Sequence, residues 1–368
     1  MSTRARVAAL CAAAALLILL PVAARGLRLP PPQWGPGEPP AQGRDADGGS
    51  ARAEGAAFLG EENGVLVFRA YVPEPRLTLA PRRGPLRVRL ENVHARATSS
   101  LAAERVAPTV LLYESSAREP LAARISLPRQ ERWRAVALGD TGAELELEWF
   151  LARATELGAD FALHLGDLAY TEDGIARAAR ALRAAPLAVY TTIGNHDFHD
   201  GARLLHAGFA RSIGPLNSFF SAGGVRFLNL DTAADSWPAG AGARGRTLAR
   251  FHAQGGSGPI VVFTHRPLVD PRPEAVAAGK SHGVNRGSES AWLRARMREI
   301  GADLLLHGHI HTHLEYELDG IPVRIAGGGL GLTLDGAPDP DARLVVLEWE
   351  EAAPESIEVR WERLNLPR

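Results

Sequence analysis

The chain has 368 residues, 46% of them hydrophobic and 23% charged, with 41 Lys+Arg against 42 Asp+Glu. This supplies enough apolar mass for a large core and excludes a wholly disordered chain, while a net charge of −1 provides no field to hold nucleic acid. The single cysteine, Cys11, rules out a disulfide framework and a thiolate metal site, so any metal must be held by His, Asp, Asn or Tyr.

Arg4 and Arg6 precede an uncharged run over 7–24 that ends Pro21-Val22-Ala23-Ala24. That is the pattern of a secretory signal with a small-residue cleavage site, with an uncleaved membrane anchor as the alternative. The expected location is periplasmic or secreted, with at most an N-terminal membrane tether. Residues 25–60, rich in Pro, Gly, Ala and charge, read as a disordered linker. Over 61–128, alternating runs such as Val65-Leu66-Val67-Phe68 and Leu86-Arg87-Val88-Arg89-Leu90 predict a small all-β module.

The texture changes over 129–368, where apolar strands alternate with helical segments, predicting a layered α/β domain. Strands are expected at 135–138, 161–165, 187–193, 225–230, 260–264 and 304–306, helices at 143–157, 175–183 and 290–300, and three more strands across 321–364. The chemically interesting polar residues follow the strand ends, where α/β sheets bring groups from distant sequence into one crevice.

Five short motifs stand at those ends in order: Gly139-Asp140-Thr141-Gly142, Gly166-Asp167-Leu168-Ala169-Tyr170, Gly194-Asn195-His196-Asp197, Val262-Phe263-Thr264-His265 and Gly308-His309-Ile310-His311. Each alone is weak, since Gly-Asp after a strand is often only a turn. Together they offer carboxylate, amide oxygen, phenolate and imidazole without thiolate, a donor set for two hard or borderline cations.

The set and its order resemble the calcineurin-like metallophosphoesterases, in the variant found in the purple acid phosphatases. The general family opens Asp-x-His, and here Gly142 stands where that histidine would be. Tyr170, three residues after Asp167, stands where purple acid phosphatases carry a tyrosinate. The resemblance implies a binuclear site with Asp140, Tyr170 and His311 on a first metal, Asn195, His265 and His309 on a second, and Asp167 bridging both. It implies Fe(III) at the first position, with Fe, Zn or Mn at the second. It further implies attack on a small phosphate ester by hydroxide generated at the metals, with His196 as the group that protonates the leaving oxygen. A phosphomonoesterase is the first expectation; a phosphodiesterase of the same fold and a noncatalytic envelope binding protein are the alternatives.

Other histidines carry less. His164, inside an apolar strand, reads as a core residue, and His94, His206 and His252 have no motif around them. His199, His307 and His313 lie near ligand segments and are candidates to orient them. His282 lies farther from His265 than the substrate-side histidine of purple acid phosphatases usually does. Arg266 is suited to phosphate oxygens, although a solvated rim position is the blander reading. Gly327-Gly328-Gly329 predicts a tight turn close to the metals.

Overall fold

The computed structural model describes residues 41–365 apart from Arg83, Glu144, Glu172, 201–202, Leu205, 234–238 and 285–286. The signal or anchor expected at 1–24, and the linker as far as residue 40, lie outside the described residues. No helix among the described residues is long and apolar enough to cross a membrane.

The second half of the expected linker is β-structure and not a linker: strands Ala41–Arg44, Ser50–Glu54 and Ala56–Glu62 occupy it. Its small residues are packing devices. Ala51 and Ala53 point inward from alternate positions and are fully or nearly fully buried, and a Cβ at Gly43 would stand 2.4 Å from the Phe58 ring. Methyl groups and absent side chains give almost no hydrophobic period, so the sequence reads as linker where the fold uses close approach.

These strands join two five-stranded sheets around one core. One sheet runs Ala41–Arg44, Ser50–Glu54, Arg76–Ala80, Leu121–Ser126, Thr98–Ser99; the other runs Ala56–Glu62, Val65–Ala70, Leu86–Glu91, Val110–Ser115, Glu104–Ala107. Leu66, Phe68, Val88 and Leu90 from the second sheet meet Leu77 and Leu79 from the first, each at period-2 spacing. The module is fastened to the rest of the chain through buried polar contacts. Asn92 accepts from the Val189 N–H at 2.8 Å and donates to its carbonyl at 3.0 Å, and Arg69 donates to the same carbonyl at 3.2 Å.

The remaining chain builds two sheets face to face. The first has the order Ala188–Thr191, Phe161–His164, Arg132–Leu138, Arg343–Glu350, Glu358–Arg363. The second runs Ser218–Ala222, Val225–Asn229, Ile260–Thr264, Leu304–His307, Ile321–Ala326, His313–Leu318. Phe227, Val261, Phe263, Leu304 and Leu306 enter the core shared with the first sheet, where Phe161 meets Phe227 edge-on at 5.6 Å. Alternate neighbours Leu228, Val262 and Leu305 face the other way, onto Phe251 of helix Ala239–Gln254 and Leu293 of helix Gly287–Ile300. Strands covered on both faces must be apolar at every position, which is why 260–264 reads as the unbroken run Ile-Val-Val-Phe-Thr. Arg132–Leu138, Phe161–His164 and Ala188–Thr191 are parallel in the first sheet, as are Val225–Asn229, Ile260–Thr264 and Leu304–His307 in the second, so within each set the C-terminal ends lie at one edge.

Candidate metal centre

All five motifs leave those C-terminal ends. Asp140 follows Arg132–Leu138, Asp167 follows Phe161–His164, Asn195 opens the short helix after Ala188–Thr191, His265 follows Ile260–Thr264 and His309 follows Leu304–His307. Three donors sit in left-handed backbone, Asp140 at φ 61°, Asp167 at φ 57° and His309 at φ 67°. Non-glycine residues hold that conformation only where surrounding structure enforces it, and here it turns three side chains off their strands toward one point.

At that point ligand atoms of Asp140, Asp167, His265 and His309 all lie within 4.8 Å of one another, and all four residues are buried. Around His265, Nε2 is 2.9 Å from Asn195 Oδ1 and 3.4 Å from Asp167 Oδ1, while Nδ1 meets the Leu165 carbonyl at 2.8 Å. The Leu165 contact fixes the ring so that Nε2 faces the carboxylate. On the other side His311 Nε2 is 3.5 Å from Asp140 Oδ1 and 3.4 Å from the Tyr170 hydroxyl. The structure thus brings all seven candidate donors together, in two groups that meet at Asp167 and Asp140.

Glycines make this closeness feasible. A Cβ on Gly142 would touch the Tyr170 ring at 3.4 Å, so the tyrosine fills the space beside the residue that stands in place of histidine, and Gly142 itself has φ 61°. A Cβ on Gly194 would lie 2.1 Å from both the amide nitrogen and Oδ1 of Asp167. The Gly327-Gly328-Gly329 turn passes close by: Cβ atoms would lie 3.1 Å from Asp140 Oδ2 at Gly327 and 2.3 Å from the Gly139 carbonyl at Gly329.

The electrostatics suit cations. Asp140 Oδ1 is buried and has among the described residues no partner closer than the His311 ring at 3.5 Å, an arrangement that favours a cation beside it. Burial pushes the Asp140 carboxyl up, and the charge of Asp167 adds to this. Asp167 is held down at about 2: burial opposes its charge, but the His265 imidazolium outweighs it. Burial would lower His265, yet Asp167 raises it to about 9. Tyr170 is pushed far up by burial and by Asp167 and Asp140. Two buried carboxylates, a phenol and three imidazoles are a donor set that fits a pair of metal ions well.

One prediction follows from these directions. In the metal-free protein at neutral pH His265 and Tyr170 both carry protons, and both must lose them to ligate. Metal binding therefore releases protons, and affinity climbs with pH; the share of His265 in that slope ends above about 9, while that of Tyr170 continues. Calorimetric titration in buffers of different ionisation enthalpy measures this directly; a pH-independent affinity contradicts it.

His196 lies at the mouth. Its N–H donates to Asp167 Oδ1 at 2.9 Å, its ring rests on Tyr170 at 4.5 Å, and its side of the short helix is exposed. The carboxylate of Asp197 is engaged elsewhere, accepting from the Ala169 and Gly194 N–H groups at 2.8 and 2.9 Å, and so clamps two motif loops together. Burial and the charge of Asp167 raise it to about 7.

The remaining histidines divide. His164 is a core residue at 2.9 Å from Thr141 Oγ1, and His307 is buried with Nδ1 2.7 Å from Thr264 Oγ1. His94 is buried, His206 stacks on Phe198 and His252 is exposed. His313 faces Trp361 and Asp341 and not the donors, and the side chain of His199 lies outside the described residues. His282 lies against His309, ring to ring at 5.1 Å, on a loop held by its own N–H to Asp270 Oδ2. Arg266 is not on a solvated rim: it is 8% exposed, with Nη1 2.8 Å from His309 Nε2. No sequence signal distinguished it, because burial there depends on the Thr232 loop folding over it.

Residues 134–313 match the family described as calcineurin-like phosphoesterase. No curated protein sequence matches the chain. Similar solved structures include the purple acid phosphatase PPD1 of yellow lupin, 15% identical over 88% of this chain and 72% of that one, with a TM-score of 0.48. A dimetal phosphatase from Danio rerio is 12% identical over 63% of this chain and 96% of its own, TM-score 0.42. GAP50, the anchor in the inner membrane complex of Plasmodium, is 13% identical over 64% and 86%, TM-score 0.47. Likeness at this level says nothing of activity. Residues 134–313, close to half of the chain, are thus similar to the calcineurin-like phosphoesterases.

Proposed function

We propose that the chain is an exported binuclear-metal phosphomonoesterase of the purple acid phosphatase type. The observation that carries the subtype is the pairing of Gly142 with Tyr170: the ring lies in contact with the position where an imidazole would begin, and its hydroxyl is 3.4 Å from His311 Nε2. Asp140, Tyr170 and His311 would hold a first ion, Asn195, His265 and His309 a second, with Asp167 between them. A phenolate, hard and anionic, selects Fe(III) at the first position; amide and imidazole at the second accept Fe, Zn or Mn. When bound, the ions supply Lewis acidity and acidify water.

The chain's own residues do the rest. The Leu165 carbonyl orients His265 through its Nδ1. Asp197 locks the loops that carry Asp167 and Asn195, keeping donors in register without taking part in proton transfer. His196, tethered through its backbone to Asp167 and stacked on Tyr170 at the exposed mouth, is placed to hand a proton to the departing alkoxide. Export rests on Arg4, Arg6 and the uncharged run 7–24.

Metal analysis joined to paired assays tests this reading: turnover of an aryl phosphate monoester with none of a bis-aryl diester supports it, and the reverse preference makes the chain a diesterase. The iron-loaded protein is expected to absorb visible light by phenolate-to-iron charge transfer, and Tyr170→Phe to abolish the band. A colourless wild type that holds iron and is active would overturn the tyrosinate assignment.

A further inference from the structure

Arg266 is the one cationic side chain described within hydrogen-bond reach of a candidate ligand nitrogen, at 2.8 Å from His309 Nε2. A neutral imidazole has one lone pair and one N–H, and a guanidinium can only donate. Nε2 must therefore be the acceptor, and the ring hydrogen sits on Nδ1. An ion on Nε2 needs the lone pair that the guanidinium occupies. An ion on Nδ1 needs the hydrogen moved to Nε2, where it would face another donor. Whichever nitrogen ligates, the Arg266–His309 hydrogen bond and coordination by His309 exclude each other.

We propose that Arg266 and the second metal ion compete for His309, and that the guanidinium displaced by the ion becomes a ligand for the phosphate oxygens of the substrate. This rests on the binuclear reading above. The movement is confined to the side chain, because the backbone is tied at both ends: the Arg266 N–H donates to Thr232 Oγ1 at 2.8 Å, and its carbonyl accepts from Thr232 and Thr264 hydroxyls at 3.2 and 3.1 Å. A guanidinium released from the imidazole keeps a planar fork of donors beside the ions, the geometry that matches a phosphate bidentately. Metal loading and phosphate capture are thereby coupled in one residue: without the second ion Arg266 occupies its histidine, and with it Arg266 faces the substrate.

The test uses full-length protein as wild type, Arg266→Met and Arg266→Lys, titrated with Zn(II) after the first ion is in place and then with inorganic phosphate. Arg266→Met is expected to bind the second ion about tenfold more tightly and inorganic phosphate about tenfold more weakly, the size of one charge-assisted hydrogen bond, with Arg266→Lys between. Unchanged or weaker second-ion binding in Arg266→Met, unchanged phosphate binding, or loss of the first ion as well would each overturn the proposal. A wild type that takes up two ions and hydrolyses phosphate esters while the variants behave identically defeats this inference alone; a wild type that takes up no second ion defeats the proposed function with it.

Discussion

Asp167→Asn is expected to yield a folded protein that holds neither ion and hydrolyses an aryl phosphate at least about a thousandfold more slowly than wild type. The amide is isosteric with the carboxylate, so the packing around this 1% exposed side chain survives, and it can still accept the His196 N–H. What disappears is the charge shared by both halves of the site. His265 then loses the partner that raises it to about 9, and its imidazolium no longer has a carboxylate at 3.4 Å. Elemental analysis and circular dichroism on the same preparation decide the matter: wild-type metal content in Asp167→Asn removes Asp167 from its bridging role.

Gly194→Ala is expected to damage stability and the site together. The added methyl would lie 2.1 Å from the Asp167 amide nitrogen, a backbone atom that cannot rotate away, and equally close to Oδ1. Relief requires spreading the loop after Phe161–His164 from the loop after Ala188–Thr191, which also stretches the Asp197 clamp between Ala169 and Gly194. Overpacking of this kind costs about 3 kcal/mol, and displacing donors by an ångström costs about a hundredfold in rate. Denaturant unfolding and metal content measure the two parts. An alanine variant with wild-type stability and both ions would mean that the loops are not packed as described.

Much of this was legible because each motif is short, local and anchored to an unbroken apolar run. Strand Ile260–Thr264 was expected at the limits it has, and Phe161–His164, Val225–Asn229 and Leu304–His307 within a residue or so, since a strand buried on both faces has no polar interruptions. Helix Ala239–Gln254 escaped notice because Gly and Ala, with Arg throughout, hide its apolar face, and the strands between 41 and 62 for the related reason that alanine carries little hydrophobic signal. In the site, the donor set was what the five motifs and their family resemblance implied. The positions of Arg266 and His282 on His309 did not, since each depends on a loop held by long-range contacts, Thr232 in one case and Asp270 in the other.

The contact between Asn92 and Val189 has a consequence for how the chain can be divided. Ala188–Thr191 is the outermost strand of its sheet, and Asn92 satisfies the N–H and carbonyl of Val189 much as a neighbouring strand would. An exposed strand margin is a template for pairing with other chains. The N-terminal module therefore covers the N–H and carbonyl of Val189 at that margin, upstream of Asn195. A fragment beginning at residue 129 would carry every candidate donor yet leave the Val189 N–H and carbonyl open to pairing with its copies.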